Sequence, residues 1–366
     1  NVLITGHTGF KGSWLSLWMQ QLGANVVGVS IDPPTQLNLY EQADVDGQML
    51  SIQEDIRNGP AIKKIFLKHR PEVVFHLAAQ SLVRYSYNNP VETYESNVMG
   101  TLHILEGIRS IDTVRAAVMV TTDKCYKNME WLWGYREDEP MGGRDLYSSS
   151  KGSAELLISS YRDSFYSASL YDQHRTAIAT ARSGNVIGGG DWAVDRLIPD
   201  IVRAFHKGND VYIRYPNAVR PWQHVLEPLS GYIELAERLT NGGSKYAEAW
   251  NFGPKETDSR SVEWIIERMK EYWGGNASWI LDNKHHLHEE NYLKLDCSKV
   301  NSKLDWHPKW DLDHTLLKTI EWYKSYFMGN NCKETCLNQI REYTNSDQYK
   351  LEKAKINLLF SCSFGL

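Results

Sequence analysis

Two short stretches carry the side chains best suited to acid–base chemistry. In "YSSSK" a phenol, Tyr147, and an amine, Lys151, stand four residues apart. The run that follows reads as one continuous helix, so both groups share a face. A phenol ordinarily ionises near pH ~10, but an ammonium beside it favours the phenolate. A tyrosine so placed can take the proton of an alcohol. The second stretch is "TTDK", in which Thr122, Asp123 and Lys124 close an apolar run. A hydroxyl, a carboxyl and an amine in succession raise the question of which reaction wants an acid beside an amine. A tyrosine and lysine four apart are common by chance. The pair gains weight because "TTDK" ends a strand in the same half of the chain, and the carboxyl ends of parallel strands face a ligand crevice.

The elements that must position these groups are legible as a rhythm. The apolar runs "NVLIT", "NVVGVSI", "EVVFHLAA", "RAAVMVTT" and "TAIATARS" are separated by segments of helical length. That is the pattern of a doubly wound α/β fold, a parallel (Rossmann) sheet with crossover helices on both faces, expected over residues 1–183. The first helix, "KGSWLSLWMQQLG", places Trp14, Trp18 and Leu22 on one face as core and ends at Gly23. After about Ser183 the chain changes to glycine- and proline-punctuated loops such as "GNVIGGGDWA", "NAVRPWQHV" and "NFGPKE". These predict a smaller α/β substrate lobe over residues 184–330, with an interleaved boundary. Residues 331–366 form a tail with one amphipathic stretch, expected to pack on the core or on a partner subunit.

The first strand runs directly into "GHTGFKG", with Gly6, Gly9 and Gly12 three apart, Phe10 between the last two, and then a helix. Glycines at this spacing permit a tight turn, close backbone approach to a pyrophosphate and close packing of helix on strand. The next strand ends at Asp32, twenty residues past Gly12, where a carboxylate can accept the ribose hydroxyls of an adenosine and repel a 2′-phosphate. The expected cofactor is NAD rather than NADP. Asp55 and Ile56 in "EDI" can reach the adenine, and Leu77, Ala78 and Ala79 in "HLAAQ" can lie under the dinucleotide; ordinary packing is the equal alternative for both. His76 reads as a satisfied strand-end histidine.

Composition excludes several classes. A net charge of −5 argues against a nucleic-acid footprint. Five scattered cysteines fit reduced thiols in the cytoplasm better than a disulfide framework. No apolar run reaches membrane-spanning length, so a soluble protein is expected. The histidine-rich "HHLHEE" lacks closed-site spacing and reads as a solvated loop, so no metal is expected. Cys332 and Cys336 read as one face of an amphipathic helix. The segment Glu130–Gly143, which joins the two chemical motifs, reads as an apolar cover or as plain loop packing.

"GHTGFKG", Asp32, "HLAAQ", "TTDK" and "YSSSK", in this order, resemble the extended short-chain dehydrogenase/reductase family and, within it, the nucleotide-sugar 4,6-dehydratases. "TTDKCY", "PMGGRDLYSSSKG", "GNVIGGGDWA", "DRLIPD" and "RPWQHVLEPLSGY" are most similar to the members that act on CDP-glucose, and the likeness extends to about Phe327. The resemblance implies an NAD-dependent lyase that oxidises sugar carbon 4, eliminates water across carbons 5 and 6, and returns the hydride to carbon 6. It implies that Thr122 binds the carbon 4 hydroxyl, that Tyr147 takes its proton, and that Lys151 holds the nicotinamide ribose and lowers the tyrosine's pKa. Asp123 would protonate the leaving hydroxyl of carbon 6. Many relatives have glutamate where Lys124 stands, so the base at carbon 5 is either this amine or another group. Gln80, Asn185, Arg196, Arg220 and Asn251 would bind the sugar nucleotide, arginine's fork suiting a diphosphate. A homo-oligomer, a dimer or tetramer, is implied, serving deoxysugars of bacterial surface polysaccharide such as lipopolysaccharide O-antigen. Open alternatives are a UDP-N-acetylglucosamine 4,6-dehydratase, a nucleotide-sugar 4-epimerase, and a non-catalytic sensor of NAD and sugar nucleotide.

Overall fold

A computed structural model describes residues 1–275, 277–282 and 292–345. Seven strands form one sheet: β1 (Val2–Thr5), β2 (Val26–Ser30), β3 (Leu50–Gln53), β4 (Val73–His76), β5 (Ala116–Val120), β6 (Ala177–Ser183) and β7 (Ala249–Phe252). All pairings are parallel, in the spatial order β7-β6-β5-β4-β1-β2-β3. The chain starts mid-sheet, winds outward to β3, and returns to place β4 beside β1 before winding the other way. The reversal between β1 and β4 opens the crevice in which such sheets bind ligands.

Alternation along the strands divides the interior into two cores. Val2, Ile4, Val118 and Ala179 face one side, where α1 (Phe10–Gln21) supplies Trp14, Leu15 and Trp18. Leu3, Ala117, Met119 and Ile178 face the other, against Phe66 of α2 (Gly59–His69), Ile104 of α3 (Gly100–Arg109) and Ile158 of α4 (Leu146–Phe165). Trp14 and Trp18 are core, as expected. Leu22 is not: α1 ends at Gln21, and the turn into Gly23 carries Leu22 to the surface with 57% exposure.

Two strands escape the sequence pattern. β3 is a half-exposed edge with no continuous apolar run, and β7 lies in the segment expected to form the second lobe. The "NF" of "NFGPKE" is therefore a buried strand at one end of the main sheet rather than loop. The rest of the segment beyond Ser183 supplies α5 (Leu226–Gly242), which packs Leu229, Tyr232 and Leu235 onto the first core. It also supplies two-stranded pairings of Val186–Ile187 with Gln223–His224, and of Val219–Pro221 with Ser259–Ser261. Residues 332–345 are helical, and Cys332, Cys336, Ile340 and Tyr343 join the first core, with Trp322 Nε1 donating to Cys336 Sγ at 3.2 Å. The cysteine pair is thus an ordinary buried face. "HHLHEE" and the chain after residue 345 lie outside the described residues. Among those described, no helix is long and apolar enough to cross a membrane.

Candidate active site

The crevice is built on contacts closer than a side chain allows. Gly6 turns the chain after β1 with φ +77°, and a Cβ there would lie 2.7 Å from Ala78 N at the end of β4. A Cβ on Gly12 would lie 2.0 Å from Gly6 O. Turn, helix and neighbouring strand therefore meet only because these residues are glycine. Gly9 opens α1 without a side-chain cap, so the positive end of the helix is left to an anion. Phe10 reaches across to the loop at Gly188, its Cζ 3.3 Å from where a Cβ on that glycine would stand.

Along the same edge, exposed Asp32 accepts from Gln53 Nε2 at 2.6 Å and borders an open cavity of about 460 Å³ shared with Thr35, Asn38 and Glu41. Asp55 is held by Arg57, whose Nε donates at 2.9 Å and whose guanidinium keeps the carboxyl below its ordinary range. Ile56 is buried, and its carbonyl accepts from His103 Nδ1 at 2.9 Å. Leu77, Ala78 and Ala79 are half-buried at the end of β4. His76 lies between Thr5 Oγ1 at 2.7 Å and Thr101 Oγ1 at 3.1 Å, and burial holds its pKa at about 3. It is the neutral structural histidine that was expected.

β5 and α4 bring the two chemical motifs together. Thr122 caps the turn Asp123–Cys125 that follows β5, and its hydroxyl donates to Asp123 Oδ1 at 3.0 Å. Asp123 is 3% exposed, yet its Oδ2 has no hydrogen-bond partner among the described residues. A buried carboxyl oxygen left unpaired is costly unless a ligand satisfies it. Tyr147 is buried, with its phenol against the Thr122 hydroxyl. Burial pushes that phenol up to about 12, and the opposing pull comes first from Thr122 and then from the Arg196 guanidinium. Lys151 Nζ is turned to Val120 O at 3.1 Å, and burial draws its own pKa down to about 8. Lys124 is half-buried, and its Nζ has no hydrogen-bonded or ionic partner among the described residues.

The model of the family described as GDP-mannose 4,6-dehydratase matches residues 3–319. The chain belongs to that family. It is 51% identical to the CDP-glucose 4,6-dehydratase of Salmonella typhimurium, over 94% of this chain and 96% of that one. The fold is shared with dTDP-glucose 4,6-dehydratase of Bacillus anthracis, solved in complex with NAD, at a TM-score of 0.73 and 22% identity over 90% of this chain and 98% of the other. It is shared equally with a UDP-glucose 4-epimerase of Stenotrophomonas maltophila, at 0.77 and 21% over 90% and 99%.

In this member of the GDP-mannose 4,6-dehydratase family the remaining predicted residues separate into two groups. Arg196 faces the cleft, its NH1 on Asp191 Oδ2 at 2.9 Å and its NH2 on Ser81 Oγ at 3.1 Å. Arg220 is buried on the short strand Val219–Pro221, and Asn185 is half-buried beside Gly184. Gln80 is fixed through its amide to Leu82 N and, at 2.9 Å, to Thr93 Oγ1, leaving one N–H for a ligand. Asn251 does not belong in the site. It is fully buried, accepts from Tyr126 OH at 2.7 Å, and donates to Tyr135 O at 2.8 Å and Asp296 O at 3.1 Å. Every polar atom of that amide's side chain is committed to the scaffold. In the segment Glu130–Gly143, Tyr135 is buried and stacks on Tyr126 at 5.3 Å, while Leu132 and Trp133 are exposed.

Several residues of the site went unremarked in the sequence. Asn97, in a π-turn over Glu95–Met99, donates to Gln80 O at 3.0 Å and Ser150 Oγ at 2.9 Å, tying the end of β4 to α4; such turns recur at functional sites. Glu155 and Arg182, both 4% exposed, pair at 2.8 Å beneath the two motifs. Their signal was a charge inside the apolar run "TAIATARS" and a glutamate four residues after Lys151. Lys11, inside the glycine motif itself, extends Nζ to Ser183 Oγ at 2.9 Å.

Proposed function

We propose that the chain is an NAD-dependent lyase that converts CDP-glucose to CDP-4-dehydro-6-deoxyglucose and water. The observation that carries this reading is the buried Asp123 carboxyl, bonded to Thr122 beside the Tyr147 phenol, in a chain half identical to the Salmonella CDP-glucose 4,6-dehydratase.

The glycine cradle and the uncapped start of α1 suit a pyrophosphate, and Asp32 suits an unphosphorylated adenosine ribose. Bound there, NAD supplies reversible storage of the hydrogen removed from sugar carbon 4 and a positive ring that favours a phenolate nearby. Thr122 and Tyr147 hold the carbon 4 hydroxyl, and its proton passes to Tyr147 Oη. Lys151, anchored on Val120 O, is left to hold the nicotinamide ribose. The ketone at carbon 4 acidifies the hydrogen on carbon 5. Lys124 takes that proton while Asp123 gives its own to the hydroxyl of carbon 6, which departs as water. Arg196, Arg220 and Asn185 hold the diphosphate from the second lobe, residues 184–330. An acid aimed at a leaving hydroxyl has no use in a 4-epimerase, which expels no water. The reading extends to a cytoplasmic homo-oligomer whose product feeds deoxysugars of a surface polysaccharide, in keeping with the free thiols of Cys125, Cys297, Cys332 and Cys336.

CDP-glucose carrying deuterium at carbon 4 tests the chemistry. The reading predicts deuterium in the carbon 6 methyl group of a keto product by NMR. Deuterium retained at carbon 4 of an epimerised sugar would reject it in favour of the epimerase.

A further inference from the structure

Lys11 is the one charged residue of the glycine turn, and it does not point to solvent. Its Nζ crosses the crevice to the end of β6 and donates to Ser183 Oγ at 2.9 Å, and that hydroxyl is shared with Tyr232 OH at 2.8 Å. The next residue, Gly184, is the one against which the unpaired oxygen of Asp123 lies: a Cβ there would be 2.8 Å from Asp123 Oδ2. The ammonium and the orphaned carboxyl oxygen are thus seated on consecutive residues of one strand end. The charges facing Lys11 are Asp123 from the turn after β5, Lys151 from α4 and Arg196 from the second lobe. Arg196 has Asp191 as its partner.

We propose that Lys11 is a positioning residue of the elimination step, acting through Asp123 to stabilise the carboxylate that forms as the acid gives up its proton. In that step the Asp123 O–H bond breaks, the proton joins the carbon 6 hydroxyl, and the carbon–oxygen bond breaks to release water. The carbon 5 proton goes to Lys124, and Lys11 keeps its own protons. Negative charge appears on Asp123 only as the acid reacts, so a fixed cation beside it favours the transition state over the ground state. Burial, with the repulsion of Arg196 and Lys151, draws the Lys11 pKa down to about 7, and Asp123 acts in the opposite direction. The ammonium is present below that value and is lost as pH rises through it.

The inference rests on the dehydratase reading, and its test separates the two. In whole protein with ¹³C-labelled aspartate, the Asp123 carboxyl resonance, assigned by its loss in Asp123→Asn, is titrated by NMR with and without Lys11→Met. A higher midpoint in Lys11→Met is the expected coupling and needs no turnover; an unmoved midpoint overturns the proposal. In turnover, Lys11→Met is expected to leave carbon 4 oxidation in place and to slow water loss about 100-fold, without the wild-type decline at rising pH. Lys11→Arg, charged throughout, is expected to retain water loss within about tenfold and also to lack the decline. A wild-type pH profile in both variants overturns the proposal. A wild-type protein that makes no keto sugar refutes the dehydratase reading, while the NMR coupling still decides whether Lys11 and Asp123 interact.

Discussion

Glu155→Ala removes one partner of a buried ion pair that holds the site from below. Glu155 Oε1 and Oε2 accept from Arg182 Nε at 2.9 Å and NH2 at 2.8 Å, and also from Thr180 Oγ1 at 2.9 Å and the Thr121 hydroxyl. Arg182 NH1 continues the network to Tyr126 OH at 2.7 Å, and Tyr126 OH to Asn251. Burial alone would push the Glu155 carboxyl up; Arg182, Thr121 and Thr180 outweigh it and hold the carboxyl below its ordinary range. Deleting the carboxylate leaves a guanidinium buried without its counter-charge, which costs about 3–5 kcal/mol. For 366 residues, unfolding entropy near 2.1 cal/mol/K per residue converts this to a Tm lower by about 4–6.5 °C. Differential scanning calorimetry at neutral pH measures it. Because the folded-state carboxyl is lowered, the pair's contribution is complete above the unfolded carboxyl's pKa of about 4.3. It is lost as pH falls through the folded value, so wild type and Glu155→Gln are expected to converge in acid. Glu155→Leu with Arg182→Met, which removes both charges, is expected to recover most of the loss. A single Glu155→Ala variant that melts within 1 °C or so of wild type would refute the claim that this pair anchors α4 to β5 and β6.

Three further outcomes follow from the cleft. Asp32→Ala is expected to narrow the preference for NAD over NADP severalfold in binding titrations, since the variant loses the charge that repels a 2′-phosphate; an unchanged ratio would remove Asp32 from the ribose site. Gly12→Ala places a methyl 2.0 Å from Gly6 O, so the purified variant is expected to be released without bound dinucleotide, read by absorbance after denaturation. Full retention would mean the turn can shift. Lys124→Met is expected to permit oxidation at carbon 4 while blocking exchange of the carbon 5 hydrogen with deuterated solvent, a loss of about 100- to 10,000-fold if the amine is the base. Exchange at the wild-type rate would place the base elsewhere.

What the sequence disclosed follows from which interactions are local. Five strands were legible because both faces of a central parallel strand are buried, which leaves continuous apolar runs. β3 was not, because an edge strand with Leu50 exposed carries no such run. β7 was not, because its place in the sheet depends on pairing with β6 across more than sixty residues of intervening chain. The cradle and the Tyr147–Lys151 face were legible because glycine spacing and helical spacing are local rules. The roles of Asn97, Glu155 and Lys11 were not, since each acts on a residue far away in sequence: Asn97 on Ser150, Glu155 on Arg182, Lys11 on Ser183. Asn251 shows the converse. The family resemblance offered Asn251 to a substrate, and only the fold reveals that Tyr126, Tyr135 and Asp296 consume its amide.

The central claim is most directly tested by presenting the purified protein, in parallel, with CDP-, UDP-, GDP- and dTDP-glucose and following the keto sugar by NMR. The account predicts a 4-keto-6-deoxy product from CDP-glucose at a rate well above the other three. Product from one of those with none from CDP-glucose would contradict it.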